Sequence, residues 1–170
     1  MTVADLRNTY AYCYWANRKL LEVVSQLTTE EFTRPVAGSL GSIRNTLVHV
    51  MSAEWGWLAR SGGPQRGPQL KAENYPTFES VQTEWVRVEG YAREFLSTLK
   101  DEDMARVVEF ELPPGKTRSL SIREMMHHGA IHGVHHRGQV ALLLRLLGKT
   151  PGNFDALFYY AQNRGMTDDF

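Results

Sequence analysis

Glu124 to Leu147 reads EMMHHGAIHGVHHRGQVALLLRLL. Five of the chain's six histidines fall there: His127, His128, His132, His135 and His136. The sixth is His49. The stretch reads as one long helix. Small or apolar residues recur at Ile122, Met125, Gly129, Val140, Leu143 and Leu147. His132 and His136 fill the two places where that series calls for an apolar residue. Steps through 125, 129, 132, 136, 140, 143 and 147 alternate fours and threes, the pattern of a helix seam. Two histidines at i and i+4 therefore sit in the middle of a buried face.

Residues i and i+4 of a helix are separated by a rise of about 6 Å and a turn of about 40°. Both imidazoles can reach one ion at bonds of about 2.0–2.1 Å. His128 makes the same i, i+4 pair with His132, so spacing alone does not choose. By helical angle His136 lies near the seam's centre and His132 within about 50° of it, with His128 about 90° away. His128 and His136 are about 12 Å apart along the axis, too far for a single ion. His127 and His135 point elsewhere. The plain alternative is a pair of core histidines held by hydrogen bonds. For two on one seam, a divalent metal is the favoured reading.

The rest of the sequence frames that helix. At 170 residues the chain is long enough for one domain, residues 1–170, with a sizeable core. Its 42% hydrophobic and 22% charged content are those of a soluble globule. Nineteen basic side chains balance nineteen acidic ones, so there is no basic field to attract nucleic acid. A single cysteine, Cys13, excludes an intrachain disulfide and a cysteine-based zinc site, and suits a reducing cytoplasm. MTVADLRNTY lacks the apolar core of a signal peptide. The longest apolar run, Val140 to Leu147, contains Arg145 and is too short to span a bilayer.

A first helix is expected over about Val3–Leu27, with Val3, Leu6, Tyr10, Cys13, Asn17, Leu20, Val24 and Leu27 in three-four spacing. Asn17 is its polar seam member, and Cys13 reads as a small core residue. Residues 28–41, with Pro35, Gly38 and Gly41, form a loop. Ser42 caps a second helix to about Arg60, whose main row is Ile43, Leu47, Val50 and Leu58. His49 lies off that row, beside Thr46, Ala53 and Trp57, so periodicity does not aim it inward. Ser61–Pro76 is a Gly/Pro-punctuated loop, long enough to cover a pocket or a partner. Thr77 caps a third helix, Phe78 to about Leu99. Arg106–Leu112 and Lys116–Leu120 read as a short hairpin around Pro113-Pro114-Gly115. Ser121-Ile122-Arg123-Glu124 is a capping box opening the histidine helix, which Leu147-Gly148 closes. Asn153 caps a short last helix, Phe154 to about Gln162, before a polar tail. Ser42-Ile43-Arg44 with His49 echoes Ser121-Ile122-Arg123 with His128, which keeps His128 as a reserve ligand. Four long amphipathic helices imply a four-helix bundle; connections of about 13 to 20 residues leave its topology open. Aromatic residues Trp55, Trp57, Trp85 and Tyr91 exceed what one seam buries, which points to dimerisation.

His132-Gly133-Val134-His135-His136-Arg137-Gly138-Gln139-Val140 resembles the HxxxHRGQ helix of the DinB superfamily, the DinB/YfiT-like proteins. Tyr14-Trp15-Ala16-Asn17 resembles that family's Y-W-x-N signature. Ser42-Ile43-Arg44 leading to His49 and Glu54 is similar to its second-helix motif, and Pro151, Asp155 and Tyr159 to its C-terminal pattern. The resemblance covers nearly the whole chain. It implies an all-α, up-down-down-up bundle, commonly a homodimer, holding a divalent metal through three histidines. Carried over by motif, these are His49, His132 and His136. Damage-inducible proteins and S-transferases using bacillithiol, mycothiol or glutathione are among the family's members. This chain departs in having His135 before His136, a competing donor, and His127-His128.

The function this implies is activation of a small-molecule thiol by a divalent cation for attack on an electrophile. Zn or Ni come first as the ion, with Fe, Mn or Cu as further options. The rivals are a metal-dependent hydrolase using metal-bound hydroxide and a metal-binding stress-response module without turnover. Trp15, Asn17, Trp57 and Gln139 are candidates for the pocket wall or for contacts behind the ligands; Arg137 is a further candidate there but reads more simply as an exposed or interface charge, and no general base is assignable. A di-iron bundle is set aside because only Glu124-Met125-Met126-His127 fits its motif. A serine hydrolase is set aside for want of a Gly-x-Ser-x-Gly elbow.

Overall fold

The computed structural model describes residues 1–37, 40–65 and 67–166. Gly38 and the end of the polar tail lie outside the described residues. The chain is mostly helical. In order it runs α1 (Val3–Val24), α2 (Thr29–Thr33), α3 (Ile43–Arg60), α4 (Phe78–Thr98), β1 (Val107–Glu111), β2 (Thr117–Ser121), α5 (Ile122–Leu146) and α6 (Ala156–Asn163). Short 3-10 turns at Ala72–Asn74 and Asp101–Ala105 interrupt the connections.

Each long helix begins where a hydroxyl can take up a free backbone N–H. Thr2, Ser42, Thr77 and Ser121 accept from the residue three positions on, at 3.1, 3.0, 3.4 and 3.3 Å. Such a cap is worth about 1 kcal/mol. The caps at Ser42, Thr77 and Ser121 fall where the sequence places them. α1 stops at Val24, three residues short of the expected end. The 28–41 loop contains α2, which the sequence reading missed. It opens with a reciprocal cap between Thr28 and Glu31 and buries Phe32. The last helix starts at Ala156, not Phe154. Its N-cap is Asp155, and Asn153 accepts instead from the Asp155 N–H at 3.2 Å.

Two apolar clusters fill the interior. One joins the first halves of α1 and α5 with the end of α4, through Leu6, Tyr10, Leu96, Ile122 and Met125. The other joins the second halves of α1 and α5 with the starts of α3 and α4, through Leu20, Leu47, Phe78, Trp85 and Val140. Between them the buried residues turn polar: Asn17 on α1, Ser52 on α3, His136 and Arg137 on α5. Gly129 has a steric reason to be glycine. A Cβ there would lie 3.0 Å from the Tyr10 hydroxyl, which donates to the Met126 carbonyl at 3.0 Å.

β1 and β2 pair antiparallel, with Val107 opposite Ser121 and Glu111 opposite Thr117. Ser121 ends β2 and caps α5, so the hairpin is fixed to the start of the histidine helix. Its Phe110 packs edge-on against Trp57 of α3, ring centroids 5.7 Å apart. The expected aromatic surplus does not exist as surface. Trp55 and Trp85 are 6% and 5% exposed within the chain itself, and Trp57 and Tyr91 are half-buried. Exposed apolar side chains lie elsewhere, at Ile131, Val134, Leu142 and Leu146 of α5 and Leu157 and Tyr160 of α6. Among the described residues no helix is long and apolar enough to cross a membrane.

Candidate metal centre

α5 carries His132 and His136 one turn apart, and α3, packed along it, carries His49. The His132 Nε2 lies 3.1 Å from the Nε2 of His49 and 3.0 Å from that of His136. One nitrogen from each of the three rings fits within a 4.8 Å group. Nitrogens bound to one ion at about 2.0–2.1 Å, with angles of about 90–110°, stand about 2.9–3.4 Å apart. The two separations from His132 therefore match those of nitrogens on one ion, and the three nitrogens together lie within 4.8 Å of one another. Among the described residues no carboxylate or thiol belongs to the group.

The ring of His136 is oriented from behind. Its Nδ1 and the Gln139 Oε1 are 2.7 Å apart. With Nδ1–H donating to that oxygen, Nε2 is left with a lone pair toward the other rings. The amide nitrogen of Gln139 in turn faces His135 Nε2 at 3.1 Å. His135 thus engages Gln139 and does not compete for the centre. Burial pushes all three imidazoles below the usual histidine range. His132 goes down to about 4, through burial first and then its neighbours His136, His49, His128 and His135. His49 is lowered by burial and by His136. His136 is lowered by burial and His135, against the opposing pull of Gln139. Neutral rings at neutral pH are the form a metal needs.

A cavity of about 260 Å³ opens beside the cluster, lined by His49, Ser52, Trp57, Arg60, Gln69, Leu112, His128 and His132 among others. Gln69 comes from the long Gly/Pro loop, which docks where the Leu70 N–H donates to Ser52 Oγ at 3.2 Å. Leu112 comes from the hairpin tip. His128 belongs to this wall, with its ring 4.7 Å from Trp57 and 5.8 Å from His132. It is not in the ligand group, so the echo between Ser42-Ile43-Arg44 and Ser121-Ile122-Arg123 stops short of the donors. Of the four pocket candidates, Trp57 lines the cavity and Gln139 holds His136. Trp15 is remote: its indole N–H donates to Gln162 at 2.9 Å, beside Tyr12 and Tyr159. Asn17 lines no part of the cavity and meets Arg137 instead.

Arg137 corrects the sequence reading. It is 4% exposed, not a surface charge. It donates to Asn17 Oδ1 at 2.9 Å and to the Cys13 sulfur at 3.6 Å, and its guanidinium lies 5.5 Å from the Tyr12 ring centroid. Glu54, the other inward charge, has one carboxylate oxygen sealed from solvent without a hydrogen-bond partner among the described residues. Burial, reinforced by Glu89 and opposed by Arg137, raises it to about 7. The signal for Arg137 was present as a second series on α5, Met126, Ala130, Gly133, Arg137, Ala141 and Leu144, all buried. Cys13 is buried with its thiol pushed up, a core residue as expected.

A family model described as the DinB family matches residues 1–166. The chain belongs to the DinB family. Among its relatives, Protein DinB of Bacillus subtilis (strain 168) is 23% identical over 146 residues, covering 82% of this chain and 84% of the relative. The uncharacterized protein YizA of the same organism is 28% identical over 127 residues, covering 74% and 77%. The crystal structure of a DinB-like protein from Bacillus cereus ATCC 10987 superposes with a TM-score of 0.74 at 22% identity, covering 89% of this chain and 97% of that one. That likeness is one of fold.

Proposed function

We propose that this DinB-family chain holds one divalent cation through His49, His132 and His136 and uses it to bring a small-molecule thiol to an electrophile. The observation that carries the reading is the convergence of three neutral imidazoles, with no carboxylate among the described residues, beside a cavity of about 260 Å³, just under the roughly 300 Å³ at which ligand sites usually begin. His49, His132 and His136 would hold the ion, and its undiminished positive charge would favour the nucleophilic thiolate form of a thiol in the cavity.

The chain's own residues set the conditions. Gln139 fixes the tautomer of His136, and burial keeps all three rings unprotonated. Trp57 and Leu112 supply apolar wall, and Gln69 reaches in from the loop. In the transfer, sulfur forms a bond to the electrophilic carbon while the leaving group departs with the electron pair. The thiol proton passes to solvent, because no side chain at the centre is assignable as a general base. The imidazole set accommodates Zn or Ni, and also Fe, Mn or Cu. A bacillithiol, mycothiol or glutathione type of thiol suits a cytoplasmic site.

We also infer one domain with an up-down-down-up four-helix bundle of α1, α3, α4 and α5. Its support is the sharing of the apolar clusters, first halves of α1 and α5 with the end of α4, second halves with the starts of α3 and α4. A homodimer is in keeping with the exposed apolar side chains of α5 and α6. The functional test pairs two assays on metal-loaded protein, conjugation of a thiol to an electrophile and hydrolysis without thiol. Conjugation that needs both ion and thiol is expected. Hydrolysis alone contradicts the reading in favour of a hydrolase, and neither reaction in favour of a binding module.

A further inference from the structure

The cavity beside the imidazoles is not electrically neutral. His49, Ser52, Gly56 and Arg60 form one face of α3 along it, at spacings of three and four. Arg60 at the end of that face is a permanent, half-buried cation. Among the described residues one of its five N–H donors is committed, Nη1 to the Gly56 carbonyl at 3.0 Å, which draws the guanidinium back along the helix toward His49. The group lies 5.4 Å from the ring centroid of Trp57 and 5.5 Å from that of Phe110, so two aromatic faces hold it in place. No ion pair among the described residues includes Arg60, and no carboxylate lines the cavity. A positioned guanidinium with free donors and no internal anion is matched to a planar carboxylate.

We propose that the ligand of this cavity is a carboxylate-bearing thiol, with Arg60 as the anchor of its carboxylate. This rests on the thiol reading above and narrows its substrate class. His49 and Gly56 are seven residues apart, a rise of about 10 Å along α3. A molecule touching both ends therefore carries its sulfur and its carboxylate several bonds apart. Trp57 and Leu112 flank the intervening chain.

The test is an optical titration of cobalt(II)-loaded protein, read at the sulfur-to-cobalt absorption band. The probes are 4-mercaptobutyrate and 6-mercaptohexanoate, each against its chain-matched mercaptoalcohol. Wild type is expected to bind the acids about tenfold more tightly or better, as a charge-assisted hydrogen bond supplies. Arg60→Gln is expected to lose that preference while keeping its affinity for the alcohols, and Arg60→Lys to keep part of it. Unchanged alcohol binding by Arg60→Gln also certifies that the variant is folded and loaded. Equal affinities for acid and alcohol in wild type, or a preference that survives in Arg60→Gln, overturns the anchor and leaves the thiol reading standing. Absence of the band with every thiol overturns both.

Discussion

α5 presents two polar groups on adjoining residues, and they are opposites. On the side of α3, His132 and His136 join His49 as neutral rings whose Nε2 atoms face one another beside a cavity. On the side of α1, Arg137 is a buried cation engaged by Asn17 and Cys13, with Glu54 nearby. The first group has donors in excess of what the protein itself uses. The second is held by internal contacts through the two terminal guanidinium nitrogens, with the Arg137 Nε and one Glu54 oxygen buried without a hydrogen-bond partner among the described residues. Burial thus has two meanings here: it keeps the imidazoles ready for a ligand, and it locks the guanidinium into the interior. The difference separates a candidate site from a structural strut, although both appear as polar residues on a buried helix.

The largest effect on this contrast comes from removing the strut. Arg137→Ala strands the Asn17 carbonyl oxygen in the interior and is expected to cost about 3 kcal/mol or more. A shifted denaturant midpoint measures it. Retention of metal uptake by the fraction that remains folded would show that the two groups are separable. Next is Gln139→Leu, which leaves the fold but frees the His136 ring. Metal affinity is expected to fall about 10–100-fold, as for other contacts behind a ligand. An unchanged dissociation constant in a chelator competition would show that Gln139 does not orient the ring.

The smallest effect is a pH dependence on the Arg137 side. Glu54 is raised from 4.5 to about 7 in the folded chain. The native state therefore keeps its proton where the unfolded chain has lost it. The associated stability is complete below about pH 4.5 and is lost as pH rises through about 7. Glu54→Gln is expected to flatten that decline, so the variant gains on wild type between those values. Parallel stability curves would remove the buried-acid assignment. The imidazoles slope the other way in metal-free protein. Their lowered values mean stability falls as pH drops below the usual histidine range, because only the unfolded chain takes up the protons.

What the sequence revealed divides along the same line. The seam of α5 was legible because His132 and His136 interrupt a regular apolar series. The caps at Ser42, Thr77 and Ser121 were legible because a hydroxyl precedes each periodic run. Arg137 was misread because α5 packs on two neighbours and so has two seams, whereas one periodic series was followed. His49 was not aimed by its own helix for a related reason. The main row of α3 faces the apolar core, and His49 faces α5 from the flank. Only the family motif united it with the α5 pair. α2 is too short for periodicity to register. The tryptophans of α3 and α4 were overcounted as surface, since a sequence cannot show that Trp55 lies against Tyr91 and Arg87 within the same chain.

The measurement that bears most directly on the account is metal content per chain after equilibration with limiting zinc or nickel. Wild type is compared with His49→Ala, His132→Ala and His136→Ala, and with a variant carrying alanine at His127, His128 and His135 together. One ion per chain is expected in wild type and in the triple variant. A loss of affinity beyond the roughly 10–100-fold of an outer contact is expected in each single variant. Undiminished uptake in His132→Ala, or loss of the ion from the triple variant alone, would contradict the three-imidazole centre.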